Sequence, residues 1–160
     1  MTRYFIWSIA LLLGSGKLDH AAALPAISAT LCRADEQPLF SCPLATRLVA
    51  VCGGADGAVY RFGRPGHVEL EATVLGLAET AFSGGGETQI SFRHGGYRYI
   101  VFDRTVRTGF AADGHNDSQF SAGLVVQRGD TTVSTQLCRT DATIKAAAAK
   151  VLPRSTFQSH

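Results

Sequence analysis

The sequence predicts an all-β domain of about eight antiparallel strands, arranged as a sandwich or small barrel, disulfide-bonded and followed by a short C-terminal helix. Three observations support this fold class. Short apolar segments with period-two alternation recur, and glycine-containing turns separate them every eight to twelve residues or so. The chain also contains four cysteines, an even number. Helical segments do not alternate with the strands, which disfavours a parallel α/β sheet.

The first half of the chain contains four predicted strands. Turn-forming residues separate them, most clearly Gly53-Gly54 and the Gly63-Arg64-Pro65-Gly66 segment. The segment 67–73 shows the clearest alternation of apolar and polar side chains, which is typical of a strand buried on one face. The four predicted strands are residues 38–42, 47–52, 58–62 and 67–73.

The second half is organised around a hairpin whose turn is Gly95-Gly96. Two adjacent glycines accept the positive φ angles that a tight type I′ turn requires. Residues 74–80 fit either a linking segment or a short helix, and residues 105–117 resemble a loop. The predicted strands are residues 88–94, 97–103, 118–127 and 130–138.

The C-terminal segment is rich in alanine and predicts a helix over residues 142–151. Thr140 or Asp141 can cap its N-terminus, and Pro153 ends it.

The first 23 residues have the features of a cleaved secretory signal peptide. Arg3 provides the positive start, residues 4–13 are apolar, and Ala21-Ala22-Ala23 supplies small residues at the cleavage site. The apolar segment is about half of the roughly 20 residues that a membrane helix needs. The sequence therefore predicts a signal peptide over 1–23 and a single secreted β domain over 24–160, periplasmic or secreted, with no membrane contact after cleavage.

The charge of the mature chain indicates neither nucleic acid nor a membrane surface as a partner. Arg3, Lys17 and Asp19 leave with the signal peptide, so 13 of the 15 basic and 12 of the 13 acidic side chains remain. The remaining basic residues are scattered singly, without the clustered patch that nucleic-acid binding requires.

The cysteines predict two disulfides rather than a metal site. An exported chain with four cysteines is expected to pair them, and no two stand in the C-x-x-C spacing typical of zinc. Cys138 ends the last predicted strand, so one bridge must join it to the N-terminal region if all four pair. The sequence leaves three pairings open among Cys32, Cys42, Cys52 and Cys138.

Two loops contain residue types that could support chemistry. Ser83 precedes three glycines, but a nucleophile elbow requires G-x-S-x-G followed by a helix, whereas a predicted strand follows here. Asp113, His115 and Asp117 alternate in a glycine-containing loop, and calcium requires six or more oxygen ligands. We therefore expect a turn serine and a solvated connection, no cofactor and no catalytic residue.

A third interpretation of the Ser83 segment is a binding loop. Its glycines permit close approach to another surface, and a rigid hairpin would lower the entropy lost on association. Arg93 and Tyr97 lie on the adjoining strands and belong to residue types that are enriched at interface hot spots.

The Ser83-Gly84-Gly85-Gly86 segment, with the later Phe92-x-His94-Gly95, resembles the S-G-x-G and W-x-K-G motifs of bacterial periplasmic lysozyme inhibitors. The resemblance implies an exported, disulfide-bonded, eight-stranded β protein whose S-G loop enters the lysozyme cleft. The serine, Ser83 here, would hydrogen-bond one catalytic carboxylate. A cationic residue of the second motif, His94 or the adjacent Arg93, would contact the other.

The sequence thus predicts an exported, non-enzymatic binding protein, with a lysozyme as the partner that the resemblance implies. The predicted partner-binding residues are Ser83, Gly84, Gly86, Arg93, His94 and Tyr97. Two alternatives remain: a structural or envelope-associated β domain without an active site, and a small serine hydrolase that uses Ser83.

Overall fold

A computed structural model describes residues 30–110 and 112–160 of the chain. The signal peptide predicted at residues 1–23 lies outside this range. In the described part of the chain, no helix is long and apolar enough to span a membrane. The structure there consists of β1 (Gln37–Pro43), β2 (Leu48–Gly54), β3 (Gly57–Arg64), β4 (His67–Ala72), β5 (Gly76–Phe82), β6 (Gly85–His94), β7 (Tyr97–Phe110), β8 (Asn116–Arg128), β9 (Thr131–Leu137) and α1 (Ala148–Val151).

The strands form two antiparallel sheets, which confirms the predicted all-β fold. Strands β1 to β4 make a four-stranded sheet, and β5 to β9 make a five-stranded sheet. Every strand pairs with its neighbour in sequence, so each sheet is a meander of hairpins. The Gly95-Gly96 turn has φ angles of 57° and 79°, as the double glycine predicts.

The apolar core lies between the two sheets. The Tyr60 ring on β3 contacts the Phe92 ring on β6 at 4.6 Å, and Phe92 stacks on Tyr99 of β7 at 4.9 Å. Both sheets contribute fully buried aliphatic side chains around these rings, among them Leu39, Val49, Val51, Leu77, Ile90, Val101 and Leu124. Since inward and outward side chains alternate along a strand, the period-two pattern of the sequence is the pattern of this core.

All four cysteines form disulfides, and the structure selects one of the three pairings left open. Cys32 bonds Cys52 within the N-terminal part of the chain. Cys42 on β1 bonds Cys138, which directly follows β9. The second bridge joins one sheet to the other and confirms the predicted link between the last strand and the N-terminal region.

A buried ion pair holds the N-terminal segment against β3. Arg61 is only 2 % exposed, and its guanidinium donates to Glu36 and to Glu71, each at 2.8 Å. The hydrogen bond from Arg61 lowers the pKa of Glu36 from its usual 4.5 to about 2, and this outweighs the opposing effect of burial.

The strand boundaries differ from the prediction in two places. Residues 74–80, predicted as a link or a short helix, belong largely to β5, because Leu77 is buried in the core and the strand pairs along its length with β6. Residues 105–110 and 116–117, predicted as parts of a loop, instead belong to β7 and β8, whereas residues 112–115 form the predicted connection between them. These changes give nine strands in the described residues instead of about eight.

The C-terminal helix is shorter than predicted and covers only α1 instead of residues 142–151. Residues 144 and 145 instead bind other parts of the fold. Ile144 N–H donates to the Asp103 carboxylate at 2.6 Å, and Lys145 N–H donates to the Leu39 carbonyl at 2.8 Å. Ile144 itself packs into the core, and residues 141–145 form neither helix nor strand.

We expect the inter-sheet disulfide to contribute more stability than the other. The two bridges span sequence separations of 96 and 20 residues. Chain-entropy arguments give about 4.7 kcal/mol for the longer loop and about 3.3 kcal/mol for the shorter. Replacing Cys42 and Cys138 by alanine should therefore lower the free energy of unfolding more than replacing Cys32 and Cys52. Denaturant unfolding of both variants tests this ranking, and equal losses would contradict it.

The Glu36–Arg61 pair should make stability fall with acid. Because the folded-state pKa of Glu36 is lowered, its contribution is complete above pH 4.5 and is lost as the pH falls towards 2. Glu36→Gln should destabilise the protein at pH 7 by about 1–3 kcal/mol and reduce the loss between pH 4.5 and 2. Urea unfolding across this range is the measurement, with Asp56→Asn in an exposed turn as the control. An unchanged pH profile for Glu36→Gln would refute the assignment.

Candidate functional site

The candidate site lies at the end of the five-stranded sheet where β5 turns into β6. The turn residues Ser83 and Gly84 connect these strands, and Ser83 is exposed. We use the term Ser83 end for this turn together with the side chains of Phe82, Arg107, Phe110 and Phe120. The turn joins two paired strands, and Ser83 is exposed there and not covered by the core.

Backbone contacts with β7 hold the turn in place. Arg107 N–H donates to the Gly84 carbonyl at 2.7 Å, and Gly84 has a φ of 88°, which favours glycine. A Cβ on Gly85 would lie 1.9 Å from the Thr105 carbonyl oxygen, so this position requires glycine for a close approach of two strands. The glycines that follow Ser83 therefore fit β6 tightly against β7.

The Ser83 end exposes several large apolar side chains. Phe82, Phe110 and Phe120 are 42 %, 68 % and 71 % exposed, and in residues 30–110 and 112–160 they are the only exposed phenylalanines. Phe82 pairs with Gly85, Gly85 with Val106, and Val106 with Gln119, so Phe82 shares one face of the sheet with these residues. Phe120 is the next residue of β8 and therefore lies on the other face. Three strand spacings of about 4.8 Å make this row about 15 Å wide. Exposed aromatic side chains therefore occur on both faces at this end of the sheet.

Arg107 adds a positive charge to the same surface. Its guanidinium lies 5.1 Å from the centre of the Phe110 ring, and its backbone contacts the Ser83–Gly84 turn. Arg107 is not among the predicted partner-binding residues, because it falls in the segment predicted as a loop. Only the strand pairing between β6 and β7 places it beside the turn.

Glu87, which follows the glycines, does not add a free negative charge to the Ser83 end. Its carboxylate is buried and forms an ion pair with Arg104, and His160 lies 2.8 Å from its other oxygen. Burial acts to raise the pKa of Glu87, but hydrogen bonds with His160, Gln89 and Arg104 outweigh it and hold the pKa below its usual value.

Arg93, His94 and Tyr97 lie at the opposite end of β6. His94 and Tyr97 flank the Gly95-Gly96 turn, and the Arg128 guanidinium covers the Tyr97 ring at 5.9 Å. Nine residue steps of about 3.3 Å separate Gly85 from His94, so about 30 Å of strand lies between the two turns. The structure therefore does not bring these three residues together with Ser83, Gly84 and Gly86.

A groove of about 480 Å³ adjoins the Ser83 end on the inner face of the sheet. Phe120, Leu137 and Asp103 are among its lining residues. Burial raises the pKa of Asp103 above its usual value, although backbone hydrogen bonds from Ile144 and Thr88 act in the other direction. The groove extends the apolar surface of Phe120 and places polar groups beside it.

The described residues give no support for a metal site. There, one group of three potential ligands comes together, namely Cys32, Glu36 and Cys52, but its two cysteines form a disulfide. In the loop considered for calcium, Asp113 accepts a hydrogen bond from the His115 N–H at 3.0 Å, as in an Asx turn. This contact fits the predicted role of a solvated connection.

Among the described residues, no base is placed to activate the Ser83 hydroxyl. Within the ranges that the structure covers, no histidine or carboxylate contacts its hydroxyl. A serine nucleophile requires such a neighbour for activation. In this arrangement the hydroxyl faces solvent as a free donor and acceptor.

In comparisons with known proteins, no protein family, no curated protein and no solved structure matches this chain.

The close approach of β6 and β7 gives a direct test of the turn. Gly85→Ala should move the hairpin and lower the free energy of unfolding by about 1–3 kcal/mol, because its Cβ would collide with the Thr105 carbonyl. Gly109→Ala is the matched control, since its Cβ meets no atom within 4 Å and its φ is not positive. Thermal or urea unfolding measures both variants, and equal effects would contradict the close approach.

Proposed function

We propose that this protein is an exported, non-enzymatic binding domain that contacts another protein through its Ser83 end, and that the partner is a lysozyme. Two disulfides are typical of proteins from oxidising compartments such as the periplasm or the extracellular space. The observation that carries the proposal is the turn with the exposed Ser83, which β7 fixes at the end of the sheet that also carries three exposed phenylalanines.

The rigidity of the turn supports binding rather than a flexible connection. A loop that is already ordered loses little conformational entropy on association, and an apolar surround excludes water from its polar contacts. Phe110 and Phe120 lie on the two arms of the β7–β8 hairpin, and both side chains are exposed. A partner could bury apolar surface against each of them. The Ser83 hydroxyl would be at the centre of such an interface.

The charges support an acidic cleft as the target. Glycosidases place two catalytic carboxyl groups about 5–9.5 Å apart. Ser83 and Arg107 belong to one end of the sheet, linked through the hydrogen bond between Gly84 and Arg107. The serine hydroxyl would contact one carboxylate and the Arg107 guanidinium the other.

Arg107 thereby takes the role that the motif resemblance gave to His94 or Arg93. Those two residues lie about 30 Å along β6 from the turn, which is far more than the separation of two catalytic carboxyl groups. Arg107 has the required charge and the required place, although it belongs to no part of the motif.

Inhibition of lysozyme turnover tests the proposal. The mature protein should inhibit at least one of the c-, g- and i-type enzymes at micromolar concentration. Ser83→Ala and Arg107→Ala should each raise the inhibition constant by about tenfold or more, because each removes a hydrogen bond to a charged group that contributes about 1.5–3 kcal/mol.

Arg93→Ala and His94→Ala are the matched controls at the other end of β6 and should leave inhibition unchanged. Failure to inhibit all three enzyme types at micromolar excess would discard lysozyme as the partner and favour the structural or envelope-associated alternative. Ester hydrolysis that disappears in Ser83→Ala would favour the hydrolase.

A further inference from the structure

The outer face of the five-stranded sheet buries an unusual number of polar side chains. Among the residues that the structure describes, the fully buried polar side chains are Arg61, Glu87, Gln89 and Gln127. The last three lie on this one face, on β6 and β8. Buried polar groups require partners, since an unsatisfied one costs about 1–3 kcal/mol. Each of the three contacts at least one residue of the C-terminal segment 155–160, in addition to partners on the sheet.

Gln89 binds the backbone of the segment at two points. Its side-chain oxygen accepts from the Gln158 N–H at 3.0 Å, and its side-chain nitrogen donates to the Gln158 carbonyl at 2.8 Å. Gln127 donates to the Ser159 carbonyl at 2.8 Å. These contacts use only backbone atoms of the segment, as a neighbouring strand does when it pairs with a peptide.

One contact involves a side chain of the segment, that of His160. The His160 imidazole lies 2.8 Å from a Glu87 oxygen and 5.0 Å, centre to centre, from the Phe102 ring. The His160 side chain is only 7 % exposed. Arg104 binds the second Glu87 oxygen, which orients the carboxylate towards the imidazole. This corner of the face is a pocket for an imidazole.

The segment is attached to the sheet without being part of the core. It passes the edge of β5, where Ser155 N–H donates to the Leu77 carbonyl at 2.8 Å. In the described ranges, the apolar clusters between and beside the sheets contain no residue beyond Leu152. Beyond Ser155, the contacts of the segment include hydrogen bonds to Gln89 and Gln127 and the contacts of His160 with Glu87 and Phe102. Segments with few apolar contacts open locally at a lower cost than global unfolding.

We propose that this outer face is a binding site for an extended peptide with a histidine side chain, and that the chain's own residues 155–160 occupy it as an exchangeable ligand. Gln89 and Gln127 bind the peptide backbone, and Glu87 with Phe102 selects the imidazole. The site is separate from the Ser83 end and does not depend on the function proposed for that end.

A full-length variant with an opened segment tests the exchange. Gln158→Pro removes the N–H that Gln89 accepts, so the segment should leave the face while the rest of the chain is kept. The probe is a labelled synthetic peptide of sequence Ser-Thr-Phe-Gln-Ser-His, followed by fluorescence anisotropy. It should bind Gln158→Pro at least tenfold more tightly than the wild-type protein, whose site is occupied.

Two controls define the site. The same peptide with alanine in place of its histidine should bind about tenfold more weakly, and the double variant Gln89→Ala with Gln158→Pro should not bind the unchanged peptide. A folded Gln158→Pro protein that fails to bind at millimolar peptide would overturn the proposal, and so would binding that is insensitive to both changes.

Hydrogen exchange on the wild-type protein tests whether the segment 155–160 opens locally, even if Gln158→Pro does not fold. The Gln158 amide, which bonds Gln89, should exchange at least tenfold faster than the amides of β7 and β8 in the core. Exchange at the same rate as those core amides would show that the segment opens only on global unfolding, and would overturn the proposal.

Discussion

The packing of one sheet against the other is the constraint on which the rest of the structure depends. Each sheet is a meander from a continuous part of the chain, and in the described residues no strand pairs with a strand of the other sheet. Side-chain contacts such as Tyr60 with Phe92, together with the Cys42–Cys138 bridge, therefore hold the two sheets together. The hydrophobic effect is not directional and does not by itself fix how two sheets are aligned. The covalent bridge and the ring contacts specify that alignment.

The unequal size of the sheets explains where the candidate site can form. Strands β7 and β8 have 14 and 13 residues, whereas β1 to β4 have between six and eight. The longer hairpin extends past its shorter neighbours, so its apolar side chains have no opposing sheet to cover them. Phe110 and Phe120 are exposed for this reason, and the Ser83–Gly84 turn lies beside them because β5 and β6 also end there. The same geometry leaves Arg93 and His94 at the other end of the sheet.

The two faces of the five-stranded sheet are covered through different kinds of contact. The inner face buries aliphatic and aromatic side chains, whose attraction does not depend on orientation. The outer face is covered by a short segment that contributes backbone groups and an imidazole to Glu87, Gln89 and Gln127. A hydrogen bond adds little net stability, but a buried polar group left without a partner is costly. We therefore expect the outer face to discriminate between covering segments by their polar groups more than to bind any of them strongly.

The sequence by itself determined the features whose signal is local. Alternating side chains located most strands, the double glycine at 95 and 96 fixed a tight turn, and Ser83 with its glycines marked a presented hairpin. Tertiary structure decided the rest. Residues 76–82 became β5 only through burial of Leu77 and pairing with β6. In the alanine-rich segment, Ile144 packs into the core and only α1 is helical. The cysteine partners and the place of Arg107 beside Ser83 depend on which strands lie side by side. Those contacts join residues far apart in the chain, and no local pattern of side chains encodes them.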